Sequence, residues 1–414
     1  MKYKTVPISE IIEEISMGPF GSNIKVECFV DKGIPVLNGS NVDGFKLCEN
    51  EFRYVTKEKA DSLGKANAFR GDIIITHRGT LGQIVYIPQN SHYDRFIISQ
   101  SQFRVRCNTK KALPEYVVYY FHTREGQYQL LSNKSQVGVP ALGRPTSTFQ
   151  SLFIPLPTID QQKEIIATLS CIDEKIELNA KINANLEAQA QSIFKSWFVD
   201  FEPFRDDEFV DSELGPIPKG WRVGTVADFA LDMKNGGTPS RNNEEYWNSR
   251  DIPWIKTGEI LNHPIVECEE YISKSGLNNS SARLLPINSV LIALYGATAA
   301  KLALLRFEAA TNQACCAMIC ESDNSAIYLY HSLLHRQSYI KGLAIGSAQQ
   351  NLGKETIATL PLLIPPEHII KQLSYNSIYN AIENTSKQIL ALSSIRDAIL
   401  PKLTNGDIEI TMGA

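Results

Sequence analysis

From Thr158 to Trp197 the chain places one residue class by alternating steps of four and three. The positions are Ile165, Leu169, Ile172, Ile176, Asn179, Asn183, Leu186, Ala190, Ile193 and Trp197, with no glycine or proline among them. Such steps average 3.5 residues and mark a heptad helix that presents one seam to a partner. About 35 residues of helix extend roughly 50–60 Å at 1.5 Å per residue, too far to be buried in one compact lobe. Thr158-Ile-Asp-Gln161 ahead of the seam has the form of a capping box. A second seam runs through Tyr375, Ile378, Ile382, Thr385, Ile389, Leu392, Arg396, Ile399 and Leu403, and Pro401 with Asn405–Gly406 is expected to stop it. Two such seams in one chain most simply bury each other, and with a lobe between them they run antiparallel. Asn179 and Asn183 weaken that pairing and are suited to fixing its register.

The rest of the chain repeats as well. LFIPLPTIDQQKEII at residues 152–166 returns as LLIPPEHIIKQL, each an apolar run ending in prolines ahead of a helix. Before each junction lies a lobe of one plan. GIPVLNGSNVDG, GDIIITHRGTLGQIVYIP and SQSQFRVR lead to a helix from about Pro114 to Leu131. DIPWIKTGEI, NSVLIALYGATAAKLALL and TNQACCAMI lead to a helix from about Ala326 to Leu343. Pro35 aligns with Pro253, Gly79–Thr80 with Gly296–Ala297, and Gln100 with Gln313. The predicted fold class is therefore α+β: two mixed α/β lobes in tandem, separated by two long helices in an antiparallel coiled coil with approximate twofold symmetry.

A chain of 414 residues suits two or three domains. Its 43% apolar and 21% charged residues are those of a globular protein. No apolar run approaches the ~20 residues of a membrane span, and no signal-peptide core follows the start. Cys28, Cys48, Cys107, Cys171 and Cys268 read as reduced, mostly buried thiols of a cytoplasmic protein. The net charge of −4 hides a gradient, from +5 over residues 1–157 to −8 over 158–214 and neutrality over 215–366.

IPLPTIDQQKEI, SIFKSWFVDFEP at 192–203, GGTPSRNNEEYWNSRDIPWIKTGEI at 236–260 and AILPKLTNGDIEI near the C-terminus together resemble the specificity subunits of type I restriction–modification systems, over essentially the whole chain. The resemblance implies target-recognition domains over 1–157 and 215–366, a central helical spacer and linker over 158–214, and a C-terminal helical spacer over 367–414. It implies double-stranded DNA with a bipartite site as ligand, each domain reading one half. It also implies two methyltransferase subunits and restriction/translocase subunits as partners. S-adenosylmethionine, ATP and Mg2+ would belong to those partners and no cofactor to this chain. EHIIKQL lacks the Gln-Gln-Lys of the first junction, so partner contacts are expected to differ between halves.

No catalytic constellation competes with that reading. His331 and His335 stand at i and i+4 without the glutamate of a zinc-protease motif or an evident third ligand. Cys315, Cys316 and Cys320 lie in an apolar run without paired CxxC knuckles and are expected to pack a core. GSAQQNLGK has the wrong spacing for a phosphate loop, and no adenine-methyltransferase motif such as NPPF or DPPY is present. Two rivals stay open: a coiled-coil scaffold that binds protein only, and a self-contained methyltransferase or nuclease.

Reading DNA takes loop side chains that reach base edges and others that hold phosphates. The candidates in the first lobe are Ser22, Asn23, Lys25, Asn38, Ser40, Asn41, His77 and Arg78, in loops flanked by glycine. In the second they are Lys234, Asn235, Thr238, Ser240, Arg241, Lys256, Thr257, Tyr295 and Thr298, with Gln349, Gln350 and Asn351, whose amides suit adenine. Each is also an ordinary turn residue. Trp197, Phe198 and Phe201 have two readings: packing the helix end against the second lobe, or docking the methyltransferase beside the acidic run Asp206, Asp207, Glu208, Asp211 and Glu213.

Overall fold

The computed structural model describes residues 3–19, 21–135, 138–344 and 351–408. They form two compact units, Met1–Lys175 with Ala391–Ala414, and Ile176–Leu390. Each unit holds one α+β lobe together with a stretch of each long helix.

In the first unit the core sheet is antiparallel, in the order Ile12–Met17, Gln102–Cys107, Asp72–Thr76 and Ile84–Tyr86. Period-two alternation buries both of its faces. Ile73, Ile75, Phe103 and Val105 join the cluster under the helices, while Ile74 and Val85 join the one under a second sheet. That second sheet runs Phe29–Val30, Arg53–Val55, Ile34–Val36, Arg95–Ile97, Asn67–Phe69. Lys4–Pro7 pairs with Phe153–Leu156 and closes the lobe at the proline junction.

The second unit repeats this plan. Asp232–Asn235, Cys315–Ile319, Val290–Ala293 and Leu302–Leu304 form its core sheet in the same order, and Arg222–Thr225 pairs with Pro361–Ile364. The second sheet is reduced to Glu270–Ile272, Ile252–Ile255 and Ala310–Thr311. Val290 and Ile292 face the helical cluster; Leu291 and Ala293 face the opposite one. Pro35 pairs across its sheet with Tyr54, and its repeat mate Pro253 with Tyr271.

The first long helix covers Ile159–Phe198 and the second Tyr375–Asn405. Thr158 and Gln161 form the expected cap, each backbone N–H donating to the other's side chain at 3.0 and 3.3 Å. Inside each unit the two helices pair antiparallel. Asp173 meets Arg396 at 3.0 Å in the first unit, while Asn179 meets Gln388 and Asn183 meets Ser386 in the second. Ile165 and Leu169 are fully buried in one cluster with Leu400 and Leu403.

Three expectations need correction. Pro401 does not end the second helix, which continues to Asn405. Thr404 donates its hydroxyl to the Leu400 carbonyl at 2.9 Å, and the stop falls at left-handed Gly406. The single helix expected in each lobe is two: Pro114–Phe121 and Arg124–Leu130, then Asp323–His335 and Gln337–Gly342. Thr123 causes the first break by accepting the Gly126 N–H at 3.0 Å and starting a new helix. Of the five thiols expected to be mostly buried, only Cys107 is. Cys28, Cys48 and Cys268 are half-buried and Cys171 is exposed on the outer face of the first long helix.

Candidate nucleic-acid interface

In the first lobe, hydrogen bonds gather five loops at one end of the core sheet. Gly18, just past the strand Ile12–Met17, donates to the Gln102 carbonyl at 2.9 Å. A Cβ there would lie 1.9 Å from the Ser99 carbonyl oxygen, so only glycine lets the following loop settle against the Ser99–Ser101 turn. His77 closes on that turn twice. Its backbone N–H reaches Ser101 O at 2.8 Å and its ring Nε2 reaches Gln100 O at 3.1 Å. Gln102 Nε2 donates to the Asn38 carbonyl at 3.1 Å and tethers the 38–41 turn. Gly79 donates to Pro140 O at 2.9 Å and Leu142 to His77 O at 2.8 Å, bringing in the segment before the helix Pro145–Ser151.

The candidates in these loops divide by what their side chains already do. Lys25 and Arg78 are exposed, and their side chains have no hydrogen-bond or ion-pair partner among the described residues. Asn23 is exposed, and Ser22 shares its short turn, Gly21–Asn23. Asn38 and Ser40 are exposed but bonded to each other, Asn38 Oδ1 accepting the Ser40 N–H at 2.8 Å. Asn41 departs from expectation. It is fully buried, its amide donates to Cys48 O and Asn50 O at 2.9 and 2.7 Å, and its Oδ1 accepts the Asn38 N–H at 2.9 Å. With both ends engaged and no exposed surface it shapes the loop from inside and is out of reach of a base. His77 is half-buried, and burial pushes its pKa below the usual histidine value, so the neutral ring serves as a brace.

The second lobe converges in the same way. A Cβ on Gly236 would lie 2.2 Å from the Asn312 carbonyl oxygen, as Gly18 stands to Ser99. Leu294 donates to Ala314 O at 2.8 Å and Leu352 to Leu294 O at 2.8 Å. Tyr295 bridges to Asn351 as Arg78 bridges to Ala141, so Tyr295 occupies the place of Arg78. Both tips turn on a left-handed glycine, Gly79 at φ +94° and Gly296 at φ +74°. Thr238 donates its hydroxyl to Gln313. Asn235, Ser240, Tyr295 and Asn351 are exposed, whereas Thr257 and Thr298 are half-buried. Gln349 and Gln350 lie outside the described residues.

Electrostatics separate the two surfaces. Each cation nominated in the second lobe is held by a carboxylate: Lys234 by Asp232 at 3.0 Å, Arg241 by Glu270 at 2.7 Å, and Lys256 by Glu269 at 2.7 Å and Glu270 at 3.0 Å. Hydrogen bonds to Glu269 and Glu270 push the Lys256 pKa further up. The Arg241 guanidinium carbon also lies over Trp247, 3.5 Å from the ring centroid. In the first lobe internal pairing consumes other cations, Arg95 with Asp61 and both Arg104 and Arg106 with buried Asp72. The basic balance of that lobe thus overstates its outward charge.

Two exposed amides were not among the candidates. Gln100 and Gln313 sit on the equivalent turns where the loops meet, and the repeat alignment that pairs them was the available signal. Gln100, Asn38 and Arg53 line a cavity of about 570 Å3 with Phe29 and Phe52, between the loops of the first lobe.

The aromatic segment packs. Phe198 is buried 4.8 Å from Tyr328 and 5.8 Å from Trp221, ring centre to ring centre. Trp197 lies edge-on to Phe204, and Phe201 edge-on to Trp221. His331 is likewise interior, stacked on Phe194 and Tyr375, and Cys315 and Cys316 are core residues.

Two lobes of one plan, each ending in a convergent set of polar loops and each carried on paired long helices, define a two-headed recognition protein. A family model described as the type I restriction modification DNA specificity domain matches residues 2–188 and again 218–391, and the chain belongs to that family. Among its relatives, the type I restriction enzyme MjaIX specificity subunit of Methanocaldococcus jannaschii is 28% identical, the match covering 88% of this chain and 85% of the relative. The HindI specificity subunit of Haemophilus influenzae is 26% identical, covering 82% and 87%. The crystal structure of the type I S subunit from M. genitalium has the same fold, with a TM-score of 0.61 at 14% identity over 99% of this chain and 97% of that one.

Proposed function

We infer that this chain is the specificity subunit of a type I restriction–modification enzyme and reads a bipartite DNA sequence, one half per lobe. The observation that carries the reading is the duplication of the loop cluster. The same glycine-dependent close approach, the same glutamine turn and the same bridged tip recur at the same end of both core sheets. Each cluster mixes exposed amides, hydroxyls and an aromatic or cationic tip, the groups that pair with base edges and phosphates. The recognition domains are 1–157 and 215–366, with 158–214 and 367–414 as helical spacers. Two methyltransferase subunits and the restriction/translocase subunits assemble on the chain. S-adenosylmethionine, ATP and Mg2+ are bound by those partners, and the whole acts in the cytoplasm. No helix among the described residues is long and apolar enough to cross a membrane. Catalysis is assigned to the partners.

The test is to co-express the chain with its methyltransferase subunits and map methylated bases in the host genome. A single motif of two defined halves around a fixed gap supports the reading. Methylation without such a motif, or retention of partners with no sequence-dependent DNA binding, overturns it in favour of a protein scaffold.

A further inference from the structure

The break in each lobe's helix has a counterpart at the tip of the reading loop. In the first lobe the tip residues His77–Gly82 join the strands Asp72–Thr76 and Ile84–Tyr86, and Thr76 donates to Gln83 O at 3.0 Å to close the turn. In the second lobe the tip is one residue longer, Leu294–Ala300, and Ala293 donates to Lys301 O at 2.9 Å. The last tip residue is left-handed in both, Gly82 at φ +92° and Ala300 at φ +66°. For alanine this is a conformation that an L side chain rarely adopts, and it persists only where its surroundings fix it.

One side chain type meets that residue in both lobes. Gln127, in the helix that Thr123 starts, donates from Nε2 to the Gly82 carbonyl at 2.9 Å and to the Phe121 carbonyl at 2.8 Å. Gln337, at the start of the matching helix, donates from Nε2 to the Ala300 carbonyl at 2.7 Å. Gln337 is itself locked by Asn262, whose Nδ2 donates to Oε1 at 3.0 Å while its Oδ1 accepts from Nε2 at 2.7 Å. The fit is close: a Cβ on Gly82 would lie 2.6 Å from Gln127 Oε1. An unbroken helix would have carried position 127 elsewhere on the cylinder, since each residue turns about 100° at 3.6 residues per turn.

We propose that Gln127 and Gln337 are positioning residues for DNA readout, each clamping the left-handed foot of its lobe's tip so that Arg78 or Tyr295 meets the duplex at one height. The clamp rests on the reading that these tips face DNA. It makes no contact with DNA itself. A glutamine that only stabilised its lobe would, when removed, weaken methylation of all sequences alike. One that sets the position of a reader changes which bases are tolerated, and only in its own half-site.

The experiment uses the full chain co-expressed with its methyltransferase subunits on a plasmid library randomised across both halves. Gln127→Met keeps length and volume without the donor, and Gln127→Glu keeps shape while placing acceptors against a carbonyl; Gln337→Met is the counterpart in the second lobe. Each is expected to lower discrimination at one or two positions of a single half-site by about tenfold, the scale of one lost base contact. Gln127 and Gln337 variants should act on opposite halves. Hydrogen exchange at residues 77–83 of the DNA-free complex should quicken by a similar factor in the Gln127 variants, a readout independent of DNA. An unchanged motif, or a uniform loss over every sequence, overturns the clamp. Arg78→Ala in parallel separates the two ideas. If Arg78→Ala shifts the motif and Gln127→Met does not, the clamp alone fails; if neither does, the reading of the tip fails with it.

Discussion

Asn179 donates its side-chain amide to Gln388 Oε1 at 3.1 Å, joining two helix positions 209 residues apart in sequence. Four residues further, about one turn, Asn183 donates to Ser386 Oγ at 2.9 Å and accepts from the Thr385 hydroxyl. The seam therefore carries a polar layer at these positions, next to apolar packing at Leu186, Ala190 and Ile382, and a polar layer of this kind gives up packing energy for a defined register. Asn179→Leu is expected to raise the thermal midpoint by about 2–4 °C, the equivalent of ~1 kcal/mol in a domain of this size. A lowered midpoint in calorimetry would show that the amide pair contributes more than apolar packing can replace.

Arg78→Ala removes an exposed cation at the first lobe's tip whose side chain has no ion-pair partner among the described residues. Loss of a base contact should cost about 1–3 kcal/mol and relax one position, whereas loss of a phosphate contact should weaken all sequences and flatten the salt dependence by about one ion. Fluorescence titration of the methyltransferase complex against cognate and mismatched duplexes at two salt concentrations distinguishes them. Unchanged affinity and unchanged motif would remove Arg78 from the interface.

Asn41→Ala removes the buried partner of the Cys48 and Asn50 carbonyls and of the Asn38 N–H, all three in part-buried hydrogen bonds. A fully buried unsatisfied group costs about 1–3 kcal/mol, and because these three are only partly buried a total of roughly 1–3 kcal/mol is expected in denaturant unfolding. Because Asn38 and Ser40 ride on this turn, the proposed reading of one half-site by the first lobe predicts that this half loses definition as well. Stability within error of the native chain would mean that water replaces the amide.

The same asparagine shows what a sequence reading can and cannot reach. LNGSN presents three amide or hydroxyl side chains in a glycine-containing loop, and nothing in that string says which points inward. The answer depends on carbonyls seven and nine residues away. The ion pair Arg241–Glu270 is hidden for a similar reason, since it forms only when a loop and a strand end meet. The heptad seams and the duplicated lobes were legible because a period recurs whatever surrounds it. Helix interruptions were not, because the apolar pattern carries on through Thr123 and the cap wins only where Gly126 can approach Tyr120 O, 2.3 Å from the site of its absent Cβ.

His331 makes the second unit sensitive to acid. Burial lowers its pKa from 6.5 to about 3, and the Tyr379 hydroxyl lies 3.0 Å from Nε2. The unfolded chain binds a proton near pH 6.5 that the folded one refuses until about pH 3, so stability is full above that window and falls as pH drops through it. At pH 5 the loss is roughly 2 kcal/mol. His331→Phe should flatten the change in thermal midpoint between pH 7 and 5, and a dependence as steep as before would assign it to other groups.

Tyr119 belongs to the first lobe, yet its hydroxyl bonds Asp173 on the first long helix at 2.7 Å. Arg396 of the second helix pairs with the same carboxylate and lies over the ring of Phe45. A recombination event cutting at the proline junction would bring in new loops but leave Asp173 and Arg396 behind. The incoming lobe seats well only if it supplies a hydroxyl and a ring at those two places. The loops can change with the lobe, whereas the hydroxyl and ring that meet Asp173 and Arg396 have to be present in any lobe that seats on these helices as this one does.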